Sequence, residues 1–212
     1  RRQRQMCIRD RVRDTRHYVE NASMAIFDFT GKVEVAVTYN LGEVQTAKVR
    51  PLSYDIPFQI DGNTVTFTLE HPRNLSVEVN GDIFHNLHLF TGSPERTIPD
   101  KDNPEVIYFG PGIHTVKNGE LRVPSGKTVY LAGGAVLMGR VLIENVHDVK
   151  LLGRGIIDHS IKGGIRIANS RDVYVEGIVA TQCATGGSEN VTIRNVKSIS
   201  SVSYTHLRAH ET

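Results

Sequence analysis

Apolar and polar residues alternate in short runs through the first half of the chain, from about Thr15 to Pro94. The runs are separated by Asp-Gly, Asn-Gly and proline-containing turns. The clearest examples are KVEVAVTYN (32–40), TVTFTLEHP (64–72) and LSVEVNGD (75–82). Such alternation is typical of antiparallel strands with one face in solvent. The pattern predicts an N-terminal β-sandwich domain over residues 12–98.

A second pattern begins after the polar segment RTIPDKDNPE (96–105), which we interpret as a domain junction. A frame of Val, an apolar residue two positions on and Gly or Asn four positions on recurs five times, starting at Val106, Val129, Val149, Val173 and Val191. The starts are 23, 20, 24 and 18 residues apart. Alternation alone would not repeat a glycine in this way, whereas stacked coils of a solenoid would. The sequence therefore predicts an all-β chain with the first coils of a right-handed parallel β-helix at 104–200. An ordinary sandwich with similar strands is the alternative.

Glycine and asparagine are predicted to shape the corners of these coils. The repeated glycine permits the positive φ of a sharp turn, and four asparagines are candidates to stack at turns: Asn145, Asn169, Asn190 and Asn195. Asp148 and Asp172 each follow one of them by three residues. That recurrence favours solvated turn residues over calcium ligands.

The two ends of the chain share an origin that protein folding does not explain. With a suitable choice of codons, MCIRDR (6–11) is the antisense translation of SVSYTH (201–206). Both ends also resemble translations of the transposon adapters used to prepare sequencing libraries. We therefore interpret residues 1–11 and 201–212 as adapter-derived scars. On this interpretation His206, His210 and Glu211, which have the spacing of metal ligands, form no site.

The charge balance gives no sign of a nucleic-acid or membrane partner, and the cysteine content gives no disulfide framework. The 25 basic and 23 acidic residues give a net charge of +2, but without the two ends 19 basic and 21 acidic residues remain. No argument for nucleic-acid or membrane binding follows from that balance. Cys7 lies in the first scar, so Cys183 has no partner for a disulfide within the rest of the chain.

Three segments resemble the β-helix coils of pectinase-type enzymes, and most closely those of glycoside hydrolase family 28, the polygalacturonases. They are GRGIIDHS (153–160), IRIANSRDVYVEGI (165–178) and GSENVTIRNVKSIS (187–200). The segment SVEVNGDIFHNLHLF (76–90), which leads into VIYFGPGIHTV, resembles the domain that precedes the β-helix in bacterial relatives and in the dextranase and isopullulanase family. The resemblance implies an inverting hydrolase that uses aspartates and no metal or cofactor.

The catalytic motifs of that family are not present in the sequence. It contains no Asp-Asp, Gly-His-Gly or Arg-x-Lys, and its single Asn-x-Asp, Asn80-Gly81-Asp82, is better explained as a hairpin turn. In the family the Asn-x-Asp motif stands just past a coil like NVTIRNVKSIS, at the point where this chain reaches the second scar, and the other motifs lie on successive coils. We therefore assign no catalytic, cofactor-binding or metal-binding residue, and expect the catalytic residues beyond Ser200 and the fragment itself to be inactive.

Three histidine-containing features remain as weaker candidates. Asp158-His159 at a coil end is a candidate for an early sugar subsite, although a turn cap beside an exposed histidine explains it better. His85 and His88 lie in a strand-like run. For these two we expect a core or interface role rather than metal binding.

These observations give one leading hypothesis and two alternatives. The leading one is the N-terminal part of a secreted or periplasmic, monomeric hydrolase of a pectin-like or other polysaccharide. A polysaccharide lyase, with calcium and a basic residue, and a non-enzymatic β-helical binding or surface protein are the alternatives. The fold does not distinguish them, because β-helices serve all three.

Overall fold

The computed structural model describes residues 5–8, 22–158 and 164–198. The chain divides into two compact units, Arg1–Arg96 and Thr97–Thr212. Among the described residues, β-strands dominate and the one helical segment is a single 3-10 turn, Leu52–Tyr54. The predicted all-β class is confirmed.

Unit 1 consists of two sheets. Its strands are β1 (Gln5–Ile8), β2 (Ala22–Asp28), β3 (Val33–Thr38), β4 (Ala47–Arg50), β5 (Phe58–Asp61), β6 (Thr64–Leu69), β7 (Asn74–Val79) and β8 (Asp82–Gly92). One sheet has the order β1-β2-β8-β7-β4 and the other the order β3-β6-β5. Strand β1 falls in the segment interpreted as a scar, and that interpretation of its origin stays a prediction.

One pairing in unit 1 differs from the expected antiparallel arrangement. Strands β2 and β8 are parallel, with Ser23 opposite Leu87 and Asp28 opposite Gly92. The other strand pairs described in this unit are antiparallel. Alternation has the same period of two in both kinds of pair, so it carries no information on strand direction.

The core of unit 1 lies on the inward faces of these strands. Val35, Phe67, Val77 and Leu89 are buried in one cluster with other apolar residues. Val33 and Val37 pack against that cluster, as the alternation in KVEVAVTYN predicts. Full burial of each such side chain stabilises the fold by about 1.5–3 kcal/mol.

Unit 2 is a right-handed parallel β-solenoid of about four turns, as predicted. Its strands are β9 (Val106–Phe109), β10 (Gly112–Arg122), β11 (Thr128–Leu131), β12 (Ala135–Glu144), β13 (His147–Gly153), β14 (Ile156–Asp158), β15 (Ile165–Ala168), β16 (Arg171–Glu176), β17 (Val179–Ala180), β18 (Cys183–Gly186), β19 (Glu189–Arg194) and β20 (Lys197–Ser198). All described pairs are parallel. One sheet is β9-β11-β13-β16-β19. The long strand β12 pairs with β14 through its first half and with β15 through its second half, so it spans two strand positions of the next coil.

The register of the coils corrects the predicted alignment of the repeat. The valine frame matched Val129 with Val106 and Val149, whereas the structure pairs Val129 with Ile107 and Leu151. The pairing of Val149 with Val173, and of Val173 with Val191, is as the frame predicted. The core ladder that results is Ile107, Val129, Leu151, Val175 and Ile193, at spacings of 22, 22, 24 and 18 residues. A shift of two residues leaves an apolar side chain facing inward, so the pattern did not distinguish the two alignments.

Two columns of corner residues follow from this register. Asn145 and Asn169 stack in the left-handed conformation, and their backbone amides donate to Ala168 and Gly186 of the next coil at 3.0 and 3.1 Å. The third residue of that column is Gly187. Asn190, which was expected there, lies instead in a second column after Asp148 and Asp172. A positive φ was predicted for the repeated glycine of every coil, but it is found in only some of them. Gly153 and Gly177 have positive φ, but Gly110 and Gly133 do not.

Candidate functional site

The outward side of the sheet β9-β11-β13-β16-β19 carries an aromatic and charged patch on the later coils. Strand alternation turns every second residue outward, and the register aligns these residues across neighbouring strands. We define the Tyr174 face as two such rows: Lys150, Tyr174 and Thr192 in one, and Leu152, Glu176 and Arg194 in the other. Neighbouring strands lie about 4.8 Å apart, so three coils form a patch about 10 Å wide.

Hydrogen bonding orders the centre of the Tyr174 face. The Tyr174 hydroxyl donates to Oε2 of Glu176 at 2.5 Å. This bond, together with desolvation and the charge of Glu176, raises the pKa of Tyr174, while the nearby Arg194 acts in the opposite direction. The phenol is therefore protonated at neutral pH. Its ring is fixed in place next to an arginine.

The composition of the Tyr174 face suits a sugar chain. Sugar rings have apolar C–H faces and a rim of hydroxyl groups, so they match a surface that combines an aromatic ring with charged hydrogen-bonding groups. Lys150, Thr192 and Arg194 are exposed, and Tyr174 and Glu176 are partly exposed. With two cations against one carboxylate, the patch has a formal charge of +1. It offers binding groups, and its one carboxylate is already occupied by the Tyr174 hydroxyl.

A second charged surface crosses the coils on β10, β12 and β15. We define the arginine–glutamate ladder as Glu120, Arg122, Arg140, Glu144 and Arg166. Glu120 contacts Arg140 at 2.6 Å and Arg122 at 3.1 Å, and Glu144 contacts Arg166 at 3.1 Å and Arg122 at 3.2 Å. The carboxylates are used in ion pairs between coils. This ladder serves the stacking of the coils better than it serves a ligand.

The aspartates predicted to be turn residues lie where the sequence placed them. Asp148 and Asp172 share one coil position, are exposed, and have φ of 54° each. Asp148 Oδ2 lies 2.8 Å from Nδ1 of His147, and Asp172 Oδ1 accepts a hydrogen bond from Asn190 at 2.5 Å. Within the described ranges, no group of three or more His, Cys, Asp or Glu residues is arranged to hold a metal ion.

The Asn80-Gly81-Asp82 segment is a hairpin turn, as predicted. It joins β7 to β8, Val79 pairs with Asp82, and both central residues have positive φ, as a two-residue hairpin requires. Asp82 accepts hydrogen bonds from the backbone and ring of His85.

The two histidines of β8 have different roles. His85 is exposed, and its contact with Asp82 holds it at the surface. The expected core position is therefore wrong for this residue, while an interface role stays a prediction. His88 is half-buried and its ring is parallel to that of Phe90 within 7°, with centroids 6.2 Å apart. Burial lowers its pKa.

The remaining candidates do not converge on one place. Asp158 ends β14 opposite Met138 and is partly buried. Its neighbour His159 lies outside the described residues, as do His206, His210 and Glu211. Cys183 is a free thiol packed against the solenoid core, and burial raises its pKa to about 11.

The comparisons with known proteins leave the fold as the main evidence. No protein-family model matches the chain, and no curated protein matches it. The solenoid agrees with a pectin-lyase-like fold, while nothing in these comparisons supports glycoside hydrolase family 28 in particular. Through the described ranges, there is no helix with the length and apolarity needed to span a membrane.

Sequence inspection did not identify the Tyr174 face. Its residues occupy the polar positions of ordinary alternating strands. The available signal was the recurrence of large polar or aromatic residues at outward positions in VKLL, VYVE and VTIR. That signal has meaning once the register places these positions side by side.

Proposed function

We propose that this chain is the leading part of a polysaccharide-degrading glycoside hydrolase of the polygalacturonase type, whose solenoid binds the sugar chain along the Tyr174 face. The proposal includes inverting hydrolysis, a secreted or periplasmic location and a monomeric state. The parallel β-solenoid is the observation that carries it, because this architecture is consistent with polysaccharide-active and carbohydrate-binding proteins.

The Tyr174 face gives the proposal a specific location. It spans three successive coils, so its ring and its two cations lie along the direction in which the coils stack. An extended polymer is the kind of ligand that contacts a row of coils at once, as other solenoids bind along their length. The carboxylates of the Tyr174 face and of the arginine–glutamate ladder are hydrogen-bonded or ion-paired. We therefore give them binding or structural roles and assign the acid and base to other coils.

The hydrolase proposal is tested on the gene recovered outward from both ends of this sequence. We expect the native gene to encode Asn-x-Asp, Asp-Asp and Gly-His-Gly in the following coils. The encoded protein should release reducing sugar from a pectin-like polysaccharide with inversion at the anomeric carbon. Proton NMR measures the anomeric configuration of the first product. An unsaturated product identifies a lyase and contradicts the proposal. Coils that continue without paired acids contradict it as well.

A further inference from the structure

We propose that unit 1 carries a second glycan-binding site, a groove for an uncharged oligosaccharide on the outer face of its five-stranded sheet. The groove is a shallow depression, widely open to solvent, of about 530 Å³. It is defined by Arg50, Leu52, Ser53, Ser76, His88 and Phe90 together with their neighbours. We name it the sandwich groove. This inference does not depend on the hydrolase proposal, because it concerns residues of unit 1.

The sandwich groove has a sheet as its floor and a loop as its wall. Ser76 of β7 pairs with His88 of β8, and Asn74 pairs with Phe90, so these four side chains share one side of the sheet. The residues between them, such as Leu75 and Leu89, belong to the buried core on the opposite side. The wall is formed by the end of β4 and the 3-10 turn that follows it.

The floor presents a flat apolar platform. The rings of His88 and Phe90 are nearly parallel and adjacent. Aromatic side chains combine a large apolar face with little conformational entropy to lose, which suits them to stacking against the C–H face of a sugar ring. Because the half-buried His88 has a lowered pKa, it adds no charge to the platform at neutral pH.

The polar groups around the platform are suited to hydroxyl groups. Ser76 lines the groove, and its buried Oγ has no hydrogen-bond partner among the residues that the structure describes. A buried hydroxyl without a partner is costly. Because this oxygen has almost no exposed surface, the Ser76 side chain must turn toward the groove before a sugar hydroxyl can bond to it, and the missing bond favours that turn. Ser53 on the wall is exposed and adds a second hydroxyl.

Charge balance favours an uncharged ligand. Of the described residues that line the groove, Arg50 is the one with a charge, and its Nε is bound by the buried carboxylate of Glu78. The pair has no net charge, while the arginine retains further N–H donors, with a side chain that is 40% exposed. An anionic sugar would meet no unpaired cation among the described residues of this lining. A neutral sugar meets donors, acceptors and a platform.

The test is an NMR titration of the full chain with cellohexaose and maltohexaose, two neutral hexasaccharides, and with hexagalacturonate as the anionic comparison. We expect at least one neutral sugar to shift the ring signals of His88, with the shift saturating at a sugar concentration below about 10 mM. That value corresponds to a weak binding affinity. Hexagalacturonate should leave those signals in place. If no sugar shifts them, or if the anionic sugar alone does, the proposal is wrong.

Variants assign the binding to the groove. Phe90→Ala should weaken the binding of the neutral sugar at least tenfold, while Phe58→Ala, which removes an exposed aromatic ring outside the groove, should change it less than twofold. Ser53→Tyr fills the groove from its exposed wall and leaves the sheet unchanged. It should abolish the His88 shifts even if Phe90→Ala fails to fold. Tyr174→Ala should preserve them, which separates this site from the Tyr174 face. Equal binding by wild type and Ser53→Tyr overturns the proposal.

Discussion

Replacing Gly153 with alanine is expected to destabilise the solenoid strongly. A Cβ atom at Gly153 would lie 2.0 Å from the carbonyl oxygen of Leu131 on the preceding coil, and φ at this residue is +127°. The same carbonyl accepts the backbone amides of Arg154 and Gly155 at 2.9 and 3.0 Å, so it cannot move away without loss of these bonds. Backbone strain of about 1–3 kcal/mol and an overpacking cost of about 1–3 kcal/mol apply together. We expect a loss of about 2–6 kcal/mol in the free energy of unfolding of unit 2.

Gly133→Ala is the matched control, because the repeat in the sequence places Gly133 and Gly153 at the same position. At Gly133 the nearest atom to a new Cβ is 3.9 Å away and φ is not positive. Alanine there should be neutral or should stabilise by up to about 1 kcal/mol, through the unfolded chain.

Urea unfolding followed by circular dichroism measures both variants, and hydrogen-exchange mass spectrometry assigns the transition to solenoid peptides. Near the melting temperature, each 1 kcal/mol corresponds to a shift of about 4–8 °C for a unit of this size. A loss of less than about 1 kcal/mol for Gly153→Ala, or equal losses for the two variants, would refute the register on which the account of unit 2 depends.

Three further predictions concern single residues. In a Cys7→Ser variant, Cys183 should react with iodoacetamide at pH 8 about 100 times more slowly than an ordinary thiol. The reason is that the thiolate is the nucleophile and that burial raises the pKa of Cys183 from 9.0 to about 11. A rate equal to that of free cysteine would contradict its burial. Glu120→Gln should cost about 1 kcal/mol of stability in low salt and less in 1 M salt, since it removes the partner of two arginines in the arginine–glutamate ladder. The exposed Glu34→Gln should cost nothing, and equal melting temperatures for the two variants would count against the ladder. Burial lowers the pKa of His88, so this residue should titrate below 6.5 when followed by NMR. The stability that its neutral form gives unit 1 is then complete above pH 6.5 and is lost as the pH falls through the folded-state pKa. Titration above 6.5 would contradict the burial of its ring.

The sequence predicted the fold class because two periods are imposed directly by burial. Alternation marks strands with a buried face, as in Val33, Val35 and Val37. The spacing of about 20 residues marks stacked coils. Neither period specifies register or strand direction, so the Val129–Leu151 pairing and the parallel β2–β8 pair were missed.

The candidate binding surfaces were less accessible to sequence analysis. Tyr174, Lys150 and Arg194 are far apart in sequence and become neighbours through coil lengths that the pattern did not determine. The sandwich groove depends on a strand pairing that joins Ser76 to His88 and on a turn that lies beside them. The turn residues Asp148 and Asp172 were predictable, because local backbone conformation favours aspartate and asparagine at positive φ.

Binding of polysaccharides by the Tyr174 face tests the central claim most directly. The measurement is affinity electrophoresis of the wild-type chain through gels that contain polygalacturonate, pectin or a neutral glucan, beside Tyr174→Ala and the control Phe58→Ala. The account predicts that at least one polysaccharide retards the wild type and Phe58→Ala. It also predicts that Tyr174→Ala loses most of this retardation, with at least a tenfold weaker affinity. Unretarded migration of the wild type in every gel, or equal retardation of wild type and Tyr174→Ala in all of them, would contradict it.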